Sequence, residues 1–246
     1  MRLAVISDIH GNVHALEAVL ADIAAQAPDL TVNLGDHFSG PFLAGRTADV
    51  LGAHDFPSIA GNHDRWLLGD PEHYTSQWER WARPQLSDVH MDWIRALPPT
   101  RIVADGAVFM CHATPFDDVT AWLDEFNAEH VRVPRLRSEI EPLAEGVTQK
   151  MILCGHTHIA RMVSLSDGRL IVNPGSVGAP GFRINDALGW SAGSPHARYA
   201  VLDQTAHGWS VSFRAVAYDF EAAAKVAGET GSPELANVLR TGWIGN

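Results

Sequence analysis

Carboxylates, imidazoles and one carboxamide recur in short clusters along this chain: Asp8-Ile9-His10, Gly35-Asp36, Gly61-Asn62-His63-Asp64, His112 and Gly155-His156-Thr157-His158. Each cluster follows a short apolar run that reads as a buried strand. Oxygen donors mixed with imidazoles suit divalent cations. Two such cations about 3.5–4 Å apart clamp the attacking and leaving oxygens of a phosphoryl displacement. The spacing supplies a ligand set for each ion. Asp8 and His10, two residues apart at a strand end, reach one ion, and His158 returns to it. Asn62, His112 and His156 complete the other, with the Asp36 carboxylate placed to bridge. Taken singly, His10 or His112 reads more readily as a buried structural histidine, Asp36 as a helix cap and Asn62 as a turn residue. Their joint placement at strand ends favours the ligand reading. A single zinc site needs only three protein ligands and leaves several of these side chains idle. Two divalent ions against two carboxylates and one hydroxide leave a net positive site, which suits an anionic phosphate.

The elements that must hold these residues alternate in type. Residues 3–6 are a continuous apolar strand. Val13, Leu16, Val19, Leu20 and Ile23 have helical spacing, and residues 30–34 return as a strand. This βαβ unit predicts parallel strands with a right-handed crossover, whose polar carboxyl ends face a shared crevice. Residues 56–60 read as a further buried strand, as do 108–111 and 151–154. Short strands are expected over 161–165, 170–172, 199–202 and 211–216. Turns at Asp167-Gly168 and His207-Gly208 pair them as hairpins. Residues 65–99, with Trp66, Trp78, Trp81 and Trp93, read as two or three short helices beside the cleft. Those tryptophans pack the helices onto the sheet, or one stacks on a substrate ring. Residues 114–148 hold a loop and an amphipathic helix over 133–143. The chain closes with a helix from Phe220 and another from Ser232-Pro233-Glu234, where Ser232 is placed to cap and Pro233 fits the first turn. Residues 1–246 read as one domain with no linker, repeat or low-complexity tract.

Composition narrows the class. Of 246 residues, 46% are hydrophobic, enough for a sizeable core, which argues against disorder. A formal net charge of -11 without a Lys/Arg cluster disfavours a nucleic-acid partner. No stretch is long enough to span a bilayer, so no membrane partner is expected. Cys111 and Cys154 make no disulfide framework and read as small buried hydrophobes, which suits a cytoplasmic location. The apolar run near Met1 is too short for a secretory signal. His14, His37, His54, His73, His90, His130, His196 and His207 fall outside the ligand pattern, with His37 singled out because it follows Asp36.

Motif for motif and in order, these clusters resemble the calcineurin-like metallophosphoesterase superfamily. Ser7-Asp8-Ile9-His10-Gly11-Asn12 and Asn173-Pro174-Gly175-Ser176-Val177-Gly178 are similar to its small bacterial and archaeal phosphodiesterase branch. The resemblance implies an α/β fold, a four-layer α/β/β/α sandwich of two mixed β-sheets. It implies that Asp8, His10, Asp36 and His158 hold one metal, and that Asp36, Asn62, His112 and His156 hold the other. A metal-bridging hydroxide attacks phosphorus in line, and His63 stabilises or protonates the leaving oxygen. The implied cofactors are two divalent ions, manganese first, with iron, zinc, cobalt or nickel as alternatives. The implied activity is that of a phosphodiesterase, or else a phosphomonoesterase, on a small phosphate ester such as a nucleotide. A non-catalytic interaction scaffold of the same fold, or a nuclease, is the alternative. His37-Phe38-Ser39-Gly40 stands where the Ser/Thr protein phosphatases carry an Asp-Arg pair, which argues against that branch. Arg183 and Arg65 are candidate phosphate contacts, each balanced by a reading as a solvated arginine.

Overall fold

Strand β1 (Arg2–Ile6) sends Leu3 and Val5 to one side and Ala4 and Ile6 to the other, and all four are buried. A strand apolar on both faces belongs inside a layered α/β fold. That is its position in the computed structural model, which describes residues 1–74, 76–185 and 188–245. Helix α1 (Val13–Gln26) crosses to β2 (Leu30–Asn33), which pairs in parallel with β1. Helices α2 (Ala44–Gly52), α3 (Asn62–Leu67), α4 (Gln77–Ala82) and α5 (Asp88–Ala96) come after it. Next come β3 (Thr100–Val103), β4 (Val108–Cys111), a small hairpin of β5 (Asp124–Phe126) and β6 (Arg132–Pro134), and the one-turn helix α6 (Arg137–Ile140). The chain continues through β7 (Met151–Leu153), β8 (Arg161–Ser164) and β9 (Leu170–Asn173), then a second small hairpin of β10 (Gly181–Arg183) and β11 (Gly189–Ser191). Strands β12 (Ala197–Thr205) and β13 (Gly208–Val216) and helices α7 (Phe220–Thr230) and α8 (Pro233–Thr241) complete it.

Two mixed sheets result, β13-β12-β1-β2 and β3-β4-β7-β9-β8. Leu3, Val5 and Val32 of the first sheet meet Val108, Met110, Met151, Leu153 and Val172 of the second in the core between them. The alternate residues face outward. Ala4 and Ile6 pack on Leu16, Val19 and Leu51 of α1 and α2. Ile152, Cys154 and Ile171 pack with Trp122, Leu123 and Ile140 behind the second sheet. The layers are therefore α/β/β/α. Cys111 and Cys154 are buried members of that last cluster, with free thiols.

Several local expectations are corrected. Residues 56–60 make a single parallel bridge, Asn33 with Ser58, and no strand. Pro57 has no N–H for a ladder, and the Ala60 N–H donates to the Pro98 carbonyl oxygen. The helix expected over 133–143 begins at Arg137, because residues 132–134 are strand β6, and Pro142 sits in the tight turn Glu141–Ala144 just after α6. Ser232 occupies the N-cap of α8 without a side-chain capping hydrogen bond. The expected hairpins form at Gly168 and Gly208, whose φ values of 80° and 114° need glycine. Among the described residues, no helix is long and apolar enough to cross a membrane.

Candidate metal centre

The ligand side chains leave the chain where it turns sharply just past a strand. Asp8, His10, Asp36, His156 and His158 all have left-handed backbone, with φ of 55°, 52°, 56°, 66° and 60°. Non-glycine residues avoid that region unless their surroundings force them into it. Here the loops are tied to one another: Asp8 N–H donates to Gly35 O, His10 N–H to Asp36 O, Gly155 N–H to His112 O and Gly178 N–H to Asp8 O. Gly61 and Gly155 permit the close approach. A Cβ at Gly61 meets Asp36 Oδ1 and His112 Cε1, and one at Gly155 meets Ser7 Oγ.

The structure brings the seven candidate ligands into two adjoining groups. Asp8, His10 and His158 form one, and Asp36, His112 and His156 the other. Asn62 Oδ1 joins the second, 3.1 Å from His112 Nε2 and 3.0 Å from His156 Nδ1. Asp36 stands between the groups. Its Oδ1 accepts the His63 backbone N–H, and its Oδ2 lies 3.2 Å from His112 Nε2 and 3.9 Å from His10 Nε2.

Backbone carbonyls set the imidazole tautomers. His10 Nδ1 lies 2.9 Å from Ser39 O, His158 Nδ1 2.9 Å from Ala179 O, and His112 Nδ1 2.7 Å from Leu34 O. A proton on each Nδ1 leaves the Nε2 lone pair facing inward. His156 is reversed, with Nε2 2.9 Å from Val119 O and Nδ1 facing inward. The His10 and His158 Nε2 atoms then stand 3.1 Å apart, lone pair against lone pair, and Asp8 Oδ1 is buried with no hydrogen-bond partner. Asp8, His10 and His158 thus converge as acceptors with no donor among them, which fits a divalent cation. The Asn62 amide shows the same need. Without a cation it gains by rotating to donate to both histidines and to Asp118 O, 3.1 Å away.

The electrostatics divide the buried imidazoles. Burial acts to lower the His112 pKa, but the Asp36 carboxylate overrides it and carries the group up to about 10. Burial and the neighbouring His158 bring His10 down to about 3. Burial likewise lowers His156 to about 4. The pull on a proton at His112 reflects the negative potential that a cation beside Asp36 meets.

His63 stands beside these groups at the N-terminus of α3. Its Nδ1 lies 2.5 Å from Glu79 Oε1 on α4, and the second Glu79 oxygen accepts from Ser76 Oγ. Burial lowers the His63 pKa, but Asp36 and Glu79 together raise it above the ordinary histidine value. Trp66 and Trp78 flank the ring at centroid distances of 4.7 and 5.5 Å. Glu79 is fully buried and was missed from sequence. The only signal there, Ser76 three residues before Glu79, has the form of a helix capping box. His37 does not reach the ligands. Its Nδ1 pairs with Asp64 Oδ2 at 2.8 Å, and Asp64 also accepts from the backbone of Asp36, His37 and Gly61.

A cleft of about 490 Å³ opens over the centre, lined by His10, Asp36, Asn62, His63, His156 and His158, with Trp66, Trp78, Phe126, Phe182 and Ile184 as apolar walls. That volume suits a small organic molecule. Arg183 is in the lining and pairs with Glu234 at 2.7 Å. Arg65 is outside it and is held by both oxygens of Asp118 at 2.7 Å.

The comparisons with known proteins agree with this geometry. A family model described as the calcineurin-like phosphoesterase superfamily domain matches residues 1–201. An uncharacterized protein of Methanocaldococcus jannaschii is 27% identical over 205 residues, which is 75% of this chain and 79% of that protein. The crystal structure of a metallophosphoesterase from Sphaerobacter thermophilus is similar with a TM-score of 0.72 and 25% identity over 99% of each chain. The crystal structure of a putative diadenosine tetraphosphatase shares the fold, with a TM-score of 0.54 and 16% identity over 89% of this chain and 94% of that one.

Proposed function

The chain belongs to the calcineurin-like phosphoesterase superfamily, and on that premise we propose that it is a two-metal phosphoesterase, a phosphodiesterase first, acting on a small phosphate ester. The observation that carries this reading is the pair of inward-facing donor sets joined at Asp36. Asp8, His10, Asp36 and His158 would hold one ion, and Asp36, Asn62, His112 and His156 the other. Manganese is the first candidate. When bound, two such ions neutralise phosphoryl charge and acidify water enough for attack near neutral pH.

The protein's own groups do the rest. Five left-handed residues in three loops and a net of carbonyl contacts hold the donors in place before substrate arrives, so little reorganisation accompanies reaction. His63 is the proton donor to the leaving oxygen. Glu79 holds its Nδ1–H, which leaves Nε2 to carry the mobile proton. Trp66 and Trp78 pack against the ring and restrict its motion.

Elemental analysis of the purified protein, joined to a bis(p-nitrophenyl) phosphate assay with and without Mn²⁺, tests this reading. The expected outcome is two metals per chain and turnover that depends on them. Metal without turnover on any phosphoester moves the protein to a non-catalytic scaffold role, and no metal under any loading condition removes the ligand assignment.

A further inference from the structure

The cleft lining includes an arginine that no sequence motif marked. Arg132 lies on β6, directly across the hairpin from Phe126, and its guanidinium carbon is 5.0 Å from the Phe126 ring centroid. Its Nε is buried and has no hydrogen-bond partner. Among the described residues, no carboxylate forms an ion pair with it. The nearest acid in its field is Asp124, which shares its hairpin. Asp124 Oδ1 pairs with Arg161 Nη1 at 2.5 Å and its Oδ2 is buried without a hydrogen-bond partner, so neither oxygen reaches Arg132. Glu125, also in the lining, stands out of ion-pair reach. Arg65 and Arg183 differ, since each is matched to an acid at 2.7 Å.

A guanidinium stays charged at any working pH. Held partly out of water against a ring and without an acid, it is destabilised until an oxyanion arrives. Its planar fork suits two oxygens of one phosphate or carboxylate. The scissile phosphate, on the reading above, goes to the metal floor. Arg132 lines the same cavity from a different element. We propose that Arg132 recognises a second oxyanionic group of the substrate, so that the favoured substrates are phosphate esters carrying another phosphate or a carboxylate in addition to the one attacked.

This inference rests on the two-metal reading, and its test separates the two. Phosphonates resist hydrolysis, so binding is read without turnover. Calorimetry on the Mn²⁺-loaded protein compares alkyl monophosphonates with alkane-α,ω-diphosphonates and ω-carboxyalkylphosphonates of two to six carbons. The length series removes any dependence on one spacing. At the matching length the second anion should tighten binding about tenfold or more, the scale of one charge-assisted pair. Whether the phosphonate or the carboxylate series shows the larger gain identifies the second group. In Arg132→Gln the ratio of two-anion to one-anion affinity should fall to near one, and in Arg132→Lys part of it should return. Metal content, measured in both variants, reports whether the fold is kept. A monophosphonate that binds the parent while no second anion helps at any length overturns the inference alone, as does a gain that survives in Arg132→Gln. No binding of any phosphonate by the metal-loaded parent overturns the inference and the two-metal reading together.

Discussion

The floor of the cleft and its wall are built on different principles. On the floor the donors sit on strained backbone, and main-chain carbonyls orient them: Ser39 O for His10, Leu34 O for His112, Ala179 O for His158, Val119 O for His156. Substituting the side chains of those four orienting residues leaves the orienting groups in place. On the wall, α3, α4 and the two small hairpins are ordinary secondary structure. There the functional side chains are held by other side chains, His63 by Glu79, Arg65 by Asp118 and Arg183 by Glu234. The floor is thus fixed chemistry that is lost only by replacing a ligand. The wall is adjustable, since one substitution at a partner such as Glu79 or Glu234 re-aims or frees a side chain that lines the cleft.

That contrast is broken most directly at Asp36. Asp36→Asn should lower affinity at both ion positions by more than about 100-fold, above the 10–100-fold usual for an outer-shell change. Elemental analysis after dialysis checks it, and two metals per chain in the variant would remove Asp36 as the bridge.

On the wall the effect should be graded. His63→Ala should keep its metals and lose about 10²–10⁴-fold in turnover on esters with poor leaving groups. Glu79→Gln keeps the imidazole and removes the charge that holds it, so roughly tenfold is expected, less than for loss of the imidazole itself. The deficit should shrink for p-nitrophenol, which needs no proton. A leaving-group series in which Glu79→Gln tracks the parent throughout would falsify the role given to Glu79.

The smallest effect belongs away from the cleft. Asp22 on α1 accepts from Arg214 Nε and Nη2 at 3.0 and 2.9 Å and from Tyr199 Oη at 2.6 Å. Arg214 holds its carboxyl below the ordinary value of 3.8. A carboxylate depressed in the folded state stabilises above its unfolded pKa, and that contribution is lost as pH falls through the folded one. Asp22→Asn should therefore lower stability at pH 7 by about 1 kcal/mol at most, because the pair is partly exposed. The gap should begin to narrow below about pH 4, the unfolded value, and close only once pH has fallen below the depressed folded value. Urea midpoints at the two pH values measure it, and a loss of bound metal in this variant would mean that floor and outer face are coupled.

Much of the floor was legible from sequence because its determinants are local. Asp8 and His10 leave the chain within a few residues of β1, and His156 and His158 do the same after β7. A short unbroken apolar run announces each of these strands, which are buried on both faces. The failures were local too, but in the opposite sense. Residues 56–60 looked apolar enough for a strand, and Pro57 removed the donor that a ladder needs. Residues 133–143 had helical spacing, and pairing with β5 captured 132–134 as strand.

The order and chemical type of the candidate metal donors, and the layered fold that presents them, were determined by the sequence alone. They depend on residue type, on apolar runs along single strands and on the turn residues just past each strand end. Only the tertiary structure decided which nitrogen of each histidine faces the candidate metal centre, because a carbonyl from another loop makes that choice. It also decided that Glu79, sixteen residues from His63, serves the imidazole. And it decided that Arg65 and Arg183 are paired with acids while Arg132 is not. Each of these depends on how separate elements pack, and pairwise distances across a fold are not written in the spacing of any one segment.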